Sequence, residues 1–142
     1  MSKKRKIWHS SASSEDYQAA QKYLTLLFTD QVAKGLVKLL RAAPTIEYEA
    51  KDILRASQTH LLDEDNPHVA GDLKKIKNGQ KLSPVLLVRG DGEFGVTLTI
   101  ADGYHRICAS WNWDEKCPVA CCLVDLHSLP ASSRTGRRRS RP

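Results

Sequence analysis

Three features of the chain predict an α/β (α+β) fold. Apolar residues recur at helical spacing between Tyr17 and Leu40, and a strand-length apolar run occupies Pro84-Val85-Leu86-Leu87-Val88. A strand, a turn and a helix then follow one another between Gly95 and Trp111. At 142 residues the chain is long enough for one ordinary domain with tails.

The elements are read in chain order. Ser13 followed by Asp16 forms a capping box, because hydroxyl and carboxylate satisfy each other's orphan amides. It opens a helix over 15–28 with Tyr17, Ala20, Leu24, Leu27 and Phe28 on one face. Thr29-Asp30 caps a second helix, striped by Val32, Leu36, Leu39 and Leu40 and closed by Pro44. Thr45 to Glu49 alternates as a short strand, and 51–55 makes a helical turn. After the acidic turn Asp63-Glu64-Asp65, Asn66-Pro67 starts a helix over 67–78, since proline lacks only an amide that is an orphan there. Asn78-Gly79 ends it. The run 84–88 is a buried strand, 89–93 a loop, and 95–101 a strand with Val96, Leu98 and Ile100 against Thr97 and Thr99. Tyr104, Ile107, Cys108 and Trp111 mark one face of the next helix, and 119–124 is the last core strand. The expected organisation is a basic disordered tail over 1–14, a helical extension over 15–44, a domain over 45–126 and an Arg-rich disordered tail over 127–142.

Charge is unevenly distributed. The formal net charge is +6, but Lys3, Lys4, Arg5 and Lys6 at one end and Arg134, Arg137, Arg138, Arg139 and Arg141 at the other exceed it. Residues 11–130 therefore carry a net −3. A basic nucleic-acid face on the body is not supported by this balance, whereas the tails are suited to nonspecific, salt-sensitive contacts with nucleic acid. The basic start lacks the apolar segment of a signal peptide, and no apolar run reaches the roughly 20 residues needed to cross a bilayer. The expectation is a cytoplasmic protein with no membrane partner.

Cys108, Cys117, Cys121 and Cys122 meet zinc-ligand spacing only loosely. On a strand, Cys117 and Cys121 share one face and Cys122 takes the other, so buried free thiols are expected.

The chemistry concentrates in Asp102-Gly103-Tyr104-His105-Arg106, between a strand and a helix. A helix N-terminus offers unpartnered amides and a partial positive charge, and a glycine lets an anion approach the backbone. His105 and Arg106 in the first turn work against the helix dipole unless an anion or Asp102 compensates them. Asp102 at the end of a strand suits a hydroxyl or a divalent cation bridging phosphates. An ordinary turn with Asp102 as a cap is the alternative.

In order and spacing, "IEYEAKDIL", "NPHVAGDLKKIKNGQKLSPVLLV" and "LTIADGYHRICASWNWDEKCPVACCLVDL" resemble the ParB/sulfiredoxin-like superfamily over residues 45–126. The resemblance implies a compact mixed sheet with packed helices, and nucleotide phosphates bound at the turn by Gly103, Tyr104, His105 and Arg106. Sulfiredoxins carry a catalytic cysteine where this chain has Tyr104, and a phenol supplies no thiolate, so sulfinic acid reduction is not expected. Partition-type ParB proteins continue into a helix-turn-helix module, for which the residues after the final strand are too few. The turn is closest to the Asp-Gly-His-His-Arg turn of the ADP-dependent free serine kinase branch, with Tyr104 replacing the first histidine. That likeness implies ATP, ADP or CTP as the nucleotide, Mg2+ on Asp102, and a catalytic set of Glu64 as base with Asp102 and His105. Asp63 and Asp65 are rivals for the base. Phosphoryl transfer or hydrolysis, a noncatalytic DNA-associated module using the tails, and a ParB-like nuclease all remain open.

Overall fold

The computed structural model describes residues 7–90 and 97–130; both basic clusters, and most of the 89–93 loop, lie outside these residues. Among the described residues there are five helices and one four-stranded sheet. In chain order these are α1 (Ser14–Leu24), α2 (Asp30–Ala42), β1 (Ile46–Glu49), α3 (Ala50–Ser57), α4 (Pro67–Lys77), β2 (Val85–Arg89), β3 (Thr99–Asp102), α5 (Tyr104–Trp113) and β4 (Pro118–Asp125). The sheet order is β1-β4-β2-β3, antiparallel except for the parallel β2–β4 pair, so this is an α+β fold with a mixed sheet. No helix among the described residues is long and apolar enough to cross a membrane.

The uninterrupted apolar run in β2 has a direct physical reason. Both faces of the sheet are covered, so the strand has no side on which a polar residue would meet water. Val85 and Leu87 enter a core formed with α3, α4 and α5, and Leu86 and Val88 enter a second core formed with α1 and α2. β4 divides its residues in the same way. Val119 and Cys121 face the first core with Cys117, while Cys122 faces the second, matching the alternation expected of a strand. All four cysteines are buried thiols outside any disulfide, and burial pushes the Cys121 thiol up to about 12.

The helical stretch 15–44 forms the second layer of the fold. Leu24, Leu36 and Leu40 are fully buried against the sheet, and burying side chains of this size contributes roughly 1.5–3 kcal/mol each. α1 stops at Leu24, four residues before the expected end. Thr29 caps α2 with extended backbone (φ −67°, ψ 163°), so the chain must leave the first helix before reaching it. Leu27, expected on the buried stripe, is consequently 40% exposed, whereas Phe28 is turned back into the core.

Both expected tail boundaries also shift. Ile7 is buried, and its carbonyl accepts from the Leu82 amide at 2.7 Å while the His9 amide donates to the Leu82 carbonyl at 2.7 Å. The Trp8 indole Nε1 donates to the Pro118 carbonyl at 2.8 Å. The apolar pair Ile7-Trp8 thus draws the N-terminal segment onto the first core. Beyond β4, Leu126 and Leu129 are buried in the second core, so the packed chain extends past residue 127.

Candidate functional site

The turn at Gly103 lies at the end of β3, where Asp102 pairs in register with Leu86 of β2. Gly103 is the N-cap of α5 with a left-handed backbone (φ 108°, ψ 16°), and no side chain caps the helix. Its lack of a side chain has a packing reason as well as a conformational one. A Cβ there would stand 2.7 Å from Val85 Cβ and 2.8 Å from Arg106 Nη2. Gly103→Ala is expected to destabilise the protein by about 2–4 kcal/mol, combining left-handed strain with overpacking. A urea unfolding midpoint checks this, and an unchanged midpoint would contradict it.

Arg106 occupies a setting the sequence did not reveal. Its Nη2 donates to Asp102 Oδ2 at 2.9 Å and its Nη1 to Asp16 Oδ1 at 3.1 Å. All three side chains are largely buried, at 17%, 21% and 13% exposure in the order Arg106, Asp102, Asp16. Asp16 belongs to the capping box of α1, where its Oδ2 accepts from the Ser13 amide. One carboxylate therefore finishes a helix and reaches across the fold to the turn. Burial pushes the Asp102 carboxyl up to about 6, and Arg106 offsets this only in part while Asp16 adds to it. Burial also acts upward on Asp16, but the Ser13 amide and Arg106 outweigh it and hold that carboxyl below its ordinary value.

These contacts change the expected roles of two residues. Arg106 borders the pocket, but both of its Nη atoms are committed to carboxylates. Asp102, the expected metal ligand, is ion-paired to Arg106, and no group of three His, Cys, Asp or Glu among the described residues converges to hold a metal.

Over the turn lies a pocket of about 450 Å³. Its floor is Asp102, Gly103, Tyr104, His105 and Arg106, and its walls are His68, Asp72 and Lys75 from α4, Lys81, Leu82 and Ser83 from the segment before β2, and His9. Asn66 sets the start of α4 by accepting from the His68 and Val69 amides at 2.9 and 3.2 Å, which places His68 in the first turn. Asp72 and Lys75 follow about one and two turns later, hence on the same side of the helix. The His68 and His105 rings lie 4.7 Å apart between centroids. Burial pulls His105 below the ordinary histidine range, His68 adds to that, and Asp72 opposes it. Asp72 is pushed up by burial against the influence of Lys75, which lies 3.9 Å away.

Sequence reasoning brought together Asp102, Gly103, Tyr104, His105 and Arg106, and all five border the pocket. Tyr104 directs its hydroxyl away to the His60 carbonyl, and burial raises its pKa. Glu64 is exposed in the turn before α4 and is not part of the pocket lining, nor are Asp63 and Asp65. The carboxylate that α4 brings to the pocket is Asp72. His9, His68, Lys75 and Lys81 were missed as a group. The one available signal was His68-x3-Asp72-x2-Lys75, a polar stripe at helical spacing beside the buried stripe of Val69, Leu73 and Ile76.

No protein-family model, curated protein or solved structure matches the chain.

Proposed function

We propose that the chain is a ParB/sulfiredoxin-like domain that binds a phosphorylated ligand, a nucleotide being the first candidate, in the pocket over Gly103. The observation that carries this reading is convergence. Lys75, Lys81, His9, His68 and His105 come from four segments of the chain and border one pocket at the N-terminus of α5. Lys75 and Lys81 bring positive charge and the three imidazoles bring ring nitrogens, with Asp72 balancing Lys75 from 3.9 Å away, so the pocket gathers donors that a bound anion accepts. The helix terminus adds unpartnered amides aimed in the same direction.

The roles follow from the geometry. Lys81 and Lys75 supply charge, His105 supplies an N–H from the first turn of α5, and His68 faces it from α4. Arg106 holds the turn in shape through Asp102 and Asp16. The proposal is one of binding. Glu64 stands outside the pocket lining, and Asp102 is already engaged, so neither is assigned a step in phosphoryl transfer.

Calorimetric titration of ADP, ATP and CTP into the wild type, Lys81→Ala and His105→Ala tests the reading. At least one nucleotide should bind the wild type, and each variant should bind it at least tenfold more weakly, since a charge-assisted phosphate contact is typically worth more than about 1.4 kcal/mol. Equal affinity in all three proteins, or no binding by the wild type, would remove the proposal. Arg106 is a poor probe for this purpose because its loss also breaks the fold's internal ion pairs.

A further inference from the structure

We infer that this pocket selects its ligand by phosphate charge alone, accepting a compact polyphosphate or phosphorylated polar molecule without reading a nucleobase. The inference rests on the phosphate reading of the same pocket. Of the twelve residues that line it, Leu82 is the single aliphatic one among the described residues. Pockets that enclose a drug-sized organic ligand are lined mainly by apolar and aromatic groups, with a few polar groups for orientation. Here that proportion is inverted.

A nucleobase is held by stacking on aromatic faces and by hydrogen bonds to its edges, in which the side-chain amides of asparagine and glutamine pair well with a base. Neither residue type lines this pocket among the described residues. Three of the four rings in the lining, those of His68, His105 and Tyr104, are already engaged, and His9 supplies the fourth. His68 and His105 are in mutual contact at 4.7 Å between centroids, which leaves no slot between them. Tyr104 packs its ring against the first core and donates its hydroxyl to the His60 carbonyl. What the pocket does offer is N–H donors on cationic or protonatable groups, namely His9, His68, Lys75, Lys81 and His105. Such donors recognise phosphoryl oxygens and distinguish poorly between the organic groups attached to them.

The test compares inorganic pyrophosphate, ADP and adenosine by calorimetry on the full chain. Pyrophosphate and ADP should bind with affinities within tenfold of each other, and adenosine should neither bind nor displace pyrophosphate. Lys81→Ala should weaken pyrophosphate and ADP by the same factor. ADP binding tenfold or more tightly than pyrophosphate, or measurable adenosine binding, would overturn the inference while leaving the phosphate reading intact. Absence of binding by both pyrophosphate and ADP would overturn the phosphate reading, and the inference with it.

Discussion

Arg106→Met should cost the folded protein about 3–5 kcal/mol, because it leaves Asp16 and Asp102 as buried carboxylates without their cation. The two acids are 13% and 21% exposed, so water relieves little of that penalty. Removing all three charges in Asp16→Asn, Asp102→Asn, Arg106→Met should restore more than half of the loss, since no unpaired charge is left inside. Urea unfolding at pH 7 measures both variants. A single variant within about 1 kcal/mol of wild type would show that the three side chains do not form an energetic unit.

Stability should also fall as pH rises through the interval set by Asp102. Its pKa in the fold is about 6, against 3.8 for an unperturbed carboxyl. Between those values the folded protein holds a proton that the unfolded chain has released, so the folded state is favoured at the lower pH and loses ground up to about pH 6. At roughly 1.4 kcal/mol per pKa unit, the loss attributable to Asp102 approaches about 3 kcal/mol. Asp16 acts in the opposite sense. Its depressed pKa contributes stability that is present above 3.8 and is lost as the pH falls through its own folded pKa. Comparing urea midpoints of wild type and Asp102→Asn from pH 4 to pH 7 isolates the effect. The wild-type advantage should shrink by about 2–3 kcal/mol across that range, and parallel profiles would refute the assignment. The penalty of Arg106→Met should likewise be smaller at pH 4.5, where Asp102 carries a proton.

The parts of the fold legible in the sequence were those governed by local rules. Ser13 with Asp16 is a capping box in the structure, Asn66 caps α4, and the alternation of Cys121 and Cys122 across the sheet follows from strand geometry. The turn at Gly103 was legible as a strand-to-helix junction. What escaped were pairings between distant segments. Nothing in the residues around Asp16 shows that one of its oxygens reaches Arg106, 90 positions away. The same holds for Ile7 beside Leu82 and for the α4 side chains over the turn, because helical spacing shows which residues share a face and not what that face meets. The missing partner altered chemical meaning as well as position. Arg106, read from the sequence as a phosphate ligand, is paired with two carboxylates in the fold.

The long reach of these contacts bears on how the molecule comes into being. Trp8 donates to Pro118 across 110 positions, and Arg106 meets Asp16 across 90. Contacts so far apart along the chain require large loops to be closed before they return any energy, which slows folding. The pocket draws on residues from His9 to Arg106, and its turn leans on both layers of the sheet. Its lining therefore needs segments from His9 to Arg106 to be brought together, and a chain that stops short of α5 lacks the floor of the pocket.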